Sequence, residues 1–213
     1  MIRTALAALL LLLTPLTATA KDTLSWARDQ PQPMRTVLLK IAKDPAFVAT
    51  LRQCPATVYR RSNTTYRSDS SCARKPNACL NRCLKGDQSS CFNLAHAMQT
   101  AAPLEEESQF TYPLFMRACA LGNANACVNA AATARNGSWR PGTRPAQATA
   151  PGCQLQTYTE ACTRGAAWGC FMEGNIYRDG APGTRRNAAR AEALYRRACT
   201  LSPRSGACKA AYR

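Results

Sequence analysis

The chain has 213 residues, with twelve cysteines, one histidine, and 28 lysines or arginines against 12 acidic residues, for a formal net charge of +16. The single imidazole excludes a histidine-rich metal site and any catalytic machinery that needs two imidazoles. The aromatic content of 7% is low for a β-sandwich and is compatible with an alanine-rich helical protein. The length supports one domain, or one domain with a small annex.

Residues 1–20 have the three parts of a secretory signal peptide. A short basic start precedes an apolar run at 5–13, and small residues at 18–20 suit signal peptidase, so we expect cleavage before Lys21. The run is too short for a membrane span, which needs about 20 residues, and no later segment is expected to span a membrane. In an exported chain the cysteines are expected to form disulfides. The absence of Cys-x-x-Cys pairs from the sequence argues against zinc, redox and covalent haem sites.

Residues 21–75 do not repeat, and we expect them to form a helical cap and a basic loop at the N-terminal end of the repeats that follow. Two short helices are predicted at 33–43 and 45–54, and the polar, basic residues 59–71 predict a loop. Four cysteines have no partner assigned by the repeat and are candidates for further disulfides: Cys54, Cys72, Cys79 and Cys153. Four cysteines allow three pairings. We prefer Cys54 with Cys72 or Cys79, and Cys153 has no expected partner.

Cysteine pairs recur along residues 76–213 with a nearly constant internal spacing. Seven residues separate the members of three pairs and eight separate those of the fourth: Cys83 and Cys91, Cys119 and Cys127, Cys162 and Cys170, Cys199 and Cys208. The first members are 36, 43 and 37 residues apart, and a period in this range is typical of solenoid repeats. Three pairs also carry a glycine three positions after the first cysteine: Gly86, Gly122 and Gly165. We therefore predict three to four copies of one structural unit.

Each copy is predicted to be a helix hairpin. In the last copy, Asn187 can cap a helix whose apolar residues recur at three- and four-residue steps: Ala191, Leu194, Tyr195, Ala198 and Leu201. A glycine after the first cysteine can adopt the left-handed conformation that ends a helix. A second helix is predicted to start near Ala124 or Ala167. The two cysteines then lie at adjoining helix ends, where a disulfide can close the hairpin and contribute about 2.5 kcal/mol.

Two segments of the repeats carry a resemblance to a known family. Arg-Ala-Cys-Ala-Leu-Gly-Asn-Ala-Asn-Ala-Cys at 117–127 and Ala-Glu-Ala-Leu-Tyr-Arg-Arg-Ala-Cys at 191–199 resemble the cysteine-rich Sel1-like repeat. Over about residues 76–213 the chain is similar to the Helicobacter cysteine-rich proteins. The resemblance implies an all-α fold, an α/α solenoid or tetratricopeptide-like superhelix, with one disulfide per repeat between paired helices. The Helicobacter cysteine-rich proteins also carry a β-lactamase label.

The sequence departs from the repeat pattern in two places. Residues 137–152 contain an insertion of about seven residues, and their three prolines predict a surface loop. Glu173 stands where the pattern has an apolar residue. A buried carboxylate would need a partner, so we expect the helix to be slightly rotated there and Glu173 to be solvated.

No motif for the labelled activity is present. No serine has a lysine three residues later, and Lys-Thr-Gly is absent, although serine β-lactamases need both. His96 alone cannot supply the ligands of a metallo-enzyme. We therefore expect no catalytic residues, no metal and no cofactor. The alternative is a hydrolase or binder of β-lactam or peptidoglycan-like compounds.

Candidate binding residues lie on the helices that follow each second cysteine, because such helices line the concave surface of tetratricopeptide-like solenoids. His96 and Asn175 occupy one equivalent position, and Asn93, Asn129 and Met172 occupy another. Glu173 is a further candidate, as a little-explained ionisable residue.

The basic composition attracts anions without specifying a partner. In an exported protein the expected partners are anionic envelope polymers or other proteins, and not nucleic acid. The sequence thus predicts a periplasmic or secreted repeat scaffold that binds a protein or an envelope component. Delivery to another cell as a secreted effector is a third interpretation, and the oligomeric state stays open.

Overall fold

The computed structural model of the chain describes residues 43–61, 67–101, 105–137 and 147–212. The predicted signal peptide, the first predicted helix up to residue 42 and most of the predicted insertion loop lie outside these residues. Within them the secondary structure consists of helices and one isolated bridge between Ala181 and Thr184. The prediction of an all-α fold is confirmed. In the described ranges, no helix combines the length and the apolar character needed to cross a membrane.

The described residues form ten α-helices and one 3-10 helix. The α-helices are α1 (Pro45–Leu51), α2 (Pro55–Val58), α3 (Pro76–Leu84), α4 (Gln88–Ala101), α5 (Glu105–Ala120), α6 (Ala124–Arg135), α7 (Pro151–Thr163), α8 (Ala167–Asp179), α9 (Ala188–Leu201) and α10 (Gly206–Ala211). The 3-10 helix (Ser70–Ala73) lies between α2 and α3. From α3 onward, each helix packs against the next one in the chain.

Three of the hairpin turns share one backbone geometry. Between α5 and α6, the Gly122 N–H donates to the Cys119 carbonyl and the Asn123 N–H donates to the Ala118 carbonyl, both at 2.9 Å. Gly122 has a φ of +98°, which residues with a side chain rarely adopt. The same pair of bonds forms at the glycines between α3 and α4 and between α7 and α8. The glycines therefore end the first helix in these three hairpins, as predicted.

Small residues before the second cysteine let paired helices come close. A Cβ atom on Gly169 would lie 2.6 Å from the backbone nitrogen of Cys162 and 2.8 Å from the Cβ atom of Ala161. Ala126 and Ala207, at the equivalent positions, are fully buried. A larger side chain there would push the two cysteines apart.

Six disulfides use all twelve cysteines. Four bonds join the paired cysteines that the spacing indicates, with Cα atoms 4.5 to 4.7 Å apart: Cys83–Cys91, Cys119–Cys127, Cys162–Cys170 and Cys199–Cys208. We name the hairpins closed by these bonds the first to the fourth hairpin, formed by α3–α4, α5–α6, α7–α8 and α9–α10. Each places its cysteines at adjoining helix ends.

The preferred pairing of Cys54 with Cys72 or Cys79 is wrong. Cys54 bonds Cys153, across a sequence separation of 99 residues, and Cys72 bonds Cys79. The cause is the position of α2, which packs against α5, α6 and α7. This packing places Cys54, just before α2, beside Cys153 in the first turn of α7. Cys72 and Cys79 lie on the 3-10 helix and α3, which contact each other.

Candidate functional site

An open groove with a volume of about 880 Å³ crosses successive hairpins. Helices α4 and α6 and the first turns of α8 form its floor and sides, and residues 68–70 and Ala73 form a wall at one end. Leu201, Ser202 and Ser205, from the turn between α9 and α10, border it at the other end. Among the described residues, the lining therefore comes from α4, α6, α8, the last residue of α9, the turns around Gly165 and Ser202, and the segment before α3.

The groove brings together some of the sequence-predicted binding residues. Asn93 and His96 line it from α4, Asn129 lines it from α6, and Met172 lines it from α8. Asn175 and Glu173 do not line it. Asn175 and Glu173 are kept out of the groove by the packing of the third hairpin against the fourth.

Asn175 is used to join α8 to α9. Its side-chain oxygen accepts a hydrogen bond from the Tyr195 hydroxyl at 2.8 Å. Tyr195 comes this close because Gly174 has no side chain: a Cβ atom there would lie 2.5 Å from the tyrosine ring. Asn175 thus faces the neighbouring helix, whereas His96, at the equivalent position in α4, faces the groove.

The expectation that Glu173 is solvated is wrong. The residue is only 3% exposed, and its carboxylate lies 3.3 Å from Nη2 of Arg190, which begins the next hairpin. The Arg190 guanidinium also covers the ring of Tyr177 at 4.1 Å from its centroid. The carboxylate therefore has the partner that burial requires, and the helix does not rotate it into solvent.

His96 lies over an aromatic ring in the groove. Its imidazole stacks on Phe92, with ring centroids 5.9 Å apart and planes 22° apart. The side chain stays partly open to solvent, yet the desolvation of the ring lowers the pKa of His96 below its usual range. Within the described part of the chain, the imidazole makes no hydrogen bond to a serine or a carboxylate. The arrangement therefore offers an aromatic surface on this side of the groove.

The other end of the groove has an exposed apolar surface. Trp168 is 41% exposed and Leu201 is 40% exposed, and Met172 lines the groove beside them. Phe171 supports Trp168 through an edge-to-face contact at 5.4 Å between ring centroids. The sequence pattern placed Leu201 on a buried face and gave no role to Trp168. The signal for Trp168 was its position, two residues before Cys170, where the other copies carry small or polar residues.

Charge is sparse along the groove. Asp69 accepts hydrogen bonds from the Ser71 N–H and from Arg82, each at 2.8 Å, and these partners lower the pKa of Asp69. Arg135 is the one cationic side chain among the described residues that line the groove. The remaining polar lining is made of amides and hydroxyls: Ser68, Ser70, Asn93, Gln99, Thr100, Asn125, Asn129, Ser202 and Ser205. The groove thus suits neutral hydrogen-bonding groups better than a polyanion.

One cluster of metal-ligating residue types is not a metal site. Side-chain atoms of Asp69, Cys72 and Cys79 lie within 4.8 Å of one another. The two sulfurs are bonded to each other, which leaves one carboxylate, and that carboxylate already binds Arg82. The cluster therefore has a structural role.

A segment of the chain itself is bound beside the groove. The Arg67 N–H donates to Ser89 Oγ at 3.0 Å, and Asn93 Nδ2 donates to the Arg67 carbonyl at 2.7 Å. Ser89 and Asn93 are four residues apart on α4, so they lie on one face of the helix. This face holds both backbone groups of one residue.

Comparisons with models of protein families, with curated proteins and with solved structures found no match.

Proposed function

We propose that the protein is an exported repeat scaffold that binds a partner protein or an envelope component in the groove. The observation that carries the proposal is the groove itself, with the exposed Trp168 at one end and uncharged hydrogen-bonding side chains along its length. Exposed apolar surface rimmed by polar residues is typical of interaction sites. Among the described lining residues, no hydroxyl is hydrogen-bonded to His96 as a nucleophile would be to its base.

The repeat character of the scaffold is part of the proposal. Four disulfide-closed hairpins follow one another, and three of them share the same glycine turn. Each hairpin contacts the next through consecutive helices. These features support an α/α solenoid of Sel1-like type, in which a concave surface collects side chains from successive repeats.

Export is supported by the cysteine chemistry. All twelve cysteines are paired, and disulfides on this scale persist in oxidising compartments. Together with the signal-like residues 1–20, the disulfides favour a periplasmic or secreted protein.

An affinity capture with paired variants tests the groove as the binding site. The oxidised protein, Trp168→Ala and Tyr212→Ala are immobilised separately and exposed to an envelope extract. Tyr212 is 59% exposed and lies outside the groove, so it is a matched aromatic control. We expect a partner that the wild type and Tyr212→Ala retain and that Trp168→Ala loses. A partner retained equally by all three proteins would contradict binding in the groove.

The alternative of β-lactam hydrolysis has a direct test. We expect the disulfide-intact protein to show no turnover of a chromogenic β-lactam, because His96 has neither a serine nor a carboxylate bound to it among the described residues. A kcat of about 1 per second or more that copurifies with the protein would overturn the scaffold proposal.

A further inference from the structure

The contact between α4 and Arg67 shows how this scaffold holds polypeptide backbone. Ser89 accepts from the Arg67 N–H, and Asn93 donates to the Arg67 carbonyl. Both backbone groups of an extended residue point to the same side, so two side chains one helical turn apart can bind them together. Two residues after Arg67, the backbone at Asp69 is extended, with φ −138° and ψ 96°.

The repeat reproduces this pair of positions in the next hairpin. Ser89 and Asn93 lie two residues before and two residues after Cys91, and Asn125 and Asn129 lie two residues before and after Cys127. Both asparagines line the groove and are partly exposed. Within the described ranges neither side chain makes a hydrogen bond. An amide carries both donors and an acceptor, so this pair can bind a backbone N–H and a backbone carbonyl.

In the third hairpin, the two equivalent positions hold apolar residues in place of polar ones. Trp168 and Met172 flank Cys170 by the same two-residue steps and also line the groove. With the exposed Leu201 beside them, they present an apolar surface where the first two hairpins present polar pairs. The order along the groove is therefore a filled backbone site, an open backbone site and an apolar site.

We propose that the groove binds an extended polypeptide segment, with Asn125 and Asn129 on its backbone and Trp168 and Met172 around one of its apolar side chains. The proposal rests on the function proposed above and names the class of partner. The chain's own backbone occupies the equivalent site of the first hairpin, which favours a polypeptide over a glycan. The sparse charge of the groove matches neutral backbone groups.

Selection from a library of random linear peptides tests this proposal without a known partner. The full chain, in its disulfide-bonded form, is the target. We expect selected peptides to share an aromatic or aliphatic residue and to compete with one another. Failure to select any linear peptide that binds the protein would overturn the proposal.

Binding constants of a selected peptide then locate the contacts. Asn125→Ala/Asn129→Ala should weaken binding by about tenfold, because two hydrogen bonds are lost. Trp168→Ala should weaken it by at least about tenfold, because an aromatic surface is removed. Asn81→Ala is the matched control, since Asn81 is exposed on α3 and outside the groove, and it should leave the affinity unchanged.

Backbone methylation of the peptide distinguishes backbone recognition from side-chain recognition. N-methylation at one position of the peptide should weaken binding to the wild type by about tenfold. The same methylation should change binding to Asn125→Ala/Asn129→Ala very little, since that hydrogen bond is already lost. Equal losses in both proteins would contradict the assigned role of the asparagines.

A parallel titration with peptidoglycan-derived oligosaccharides separates this proposal from the one on which it rests. If Trp168 were needed for oligosaccharide binding and no peptide bound, the groove would remain the binding site and the polypeptide assignment would be overturned. If neither probe depended on Trp168, both proposals would fall.

Discussion

Two kinds of junction hold neighbouring hairpins together. Between the first and second hairpins, Arg117 donates from Nε to the Cys83 carbonyl at 3.1 Å and from Nη2 to the Leu84 carbonyl at 2.9 Å. Between the third and fourth hairpins, Arg197 Nη2 lies 3.4 Å from the Cys162 carbonyl. Each arginine lies two residues before the first cysteine of its own hairpin. It binds carbonyls at the end of the first helix of the preceding hairpin, which is α3 for Arg117 and α7 for Arg197. The Cys83 and Cys162 carbonyls also accept from the N–H of the turn glycines Gly86 and Gly165 at 3.0 Å, so each arginine is a further donor to a carbonyl at a helix end.

The middle junction, between the second and third hairpins, has no such arginine. Glu160 occupies the equivalent position on α7 and forms an ion pair with Arg164, directly after the end of the same helix. The Arg164 guanidinium lies over the ring of Tyr59, 4.1 Å from the centroid. The Cys54–Cys153 bond and the packing of α2 on α5, α6 and α7 also lie here.

The three junctions also differ in the spacing of their hairpins along the chain. The first cysteines of the second and third hairpins are 43 residues apart, against 36 and 37 elsewhere. The extra residues precede α7, and the non-repeating segment around α2 covers this same junction. In place of the arginine bond, a disulfide joins the non-repeating segment before α2 to the first turn of α7, directly after the insertion. The middle junction therefore depends on contacts between residues that are distant in the sequence.

Removing the cross-link of the middle junction should have the largest effect. The chain-entropy model assigns about 4.7 kcal/mol to a loop of about 100 residues, and about 2.6 kcal/mol to the nine-residue separation of Cys199–Cys208. We expect Cys54→Ser/Cys153→Ser to lower the free energy of unfolding by more than Cys199→Ser/Cys208→Ser does. Urea unfolding of both variants, followed by circular dichroism, measures the difference. Equal losses would contradict the larger contribution assigned to the long-range bond.

A close contact at the junction of the third and fourth hairpins gives the second prediction. A Cβ atom on Gly174 would lie 2.5 Å from the Tyr195 ring and 3.3 Å from the Ala191 carbonyl oxygen. Gly174→Val should therefore lower the free energy of unfolding by about 3 kcal/mol through overpacking. Gly152→Ala is the control, because nothing lies within 4 Å of a Cβ atom there. Thermal unfolding that left both variants at the wild-type melting temperature would contradict this close packing.

Replacing the junction arginine should have a smaller effect that differs between junctions. Arg117→Met keeps an apolar chain but removes two bonds to carbonyls, which should cost about 2 kcal/mol. Glu160→Met, at the equivalent position of the middle junction, removes a largely exposed ion pair and should cost at most about 1 kcal/mol. Chemical unfolding of the two variants compares the junctions directly. A cost for Glu160→Met as large as that for Arg117→Met would remove the distinction between them.

The local parts of the fold were accessible from the sequence. The constant cysteine spacing and Gly86, Gly122 and Gly165 indicated the hairpins because both features act within one turn. Asn187 caps α9 by accepting from the Arg190 N–H at 2.9 Å, as the helix signal indicated. These predictions needed only interactions between residues that are near in the chain.

The long-range parts were not accessible. The packing of α2 brings Cys54 and Cys153 together, and no local sequence pattern predicts that packing. Glu173 was judged without its partner, because Arg190 belongs to the next hairpin. Asn175 and His96 occupy equivalent positions in the sequence. Tyr195 approaches over Gly174 and donates a hydrogen bond to Asn175, so Asn175 contacts the next helix and does not line the groove. In each case the deciding contact crosses a junction.

The smallest predicted effect concerns the single histidine, which lies in the first hairpin and therefore reports on one side of the molecule. Desolvation by partial burial lowers the pKa of His96, whose ring stacks on Phe92. We expect its NMR titration midpoint to lie below the value of about 6.5 typical of an unfolded chain. The fold favours the neutral imidazole, so this group's contribution to stability is present at neutral pH and is lost as the pH falls below about 6.5.

The same titration also tests how far the two kinds of junction are independent. In folded Cys54→Ser/Cys153→Ser the midpoint should stay at its wild-type value, because Arg117 still bonds the first hairpin to the second. Protein unfolded in urea under reducing conditions is the reference, and its midpoint should be the higher of the two. A wild-type midpoint at or above this reference would contradict the stacked, desolvated imidazole. A midpoint that moved toward the reference in the variant would show that the middle cross-link also maintains the first hairpin, since loss of the Phe92 contact would return the imidazole to water.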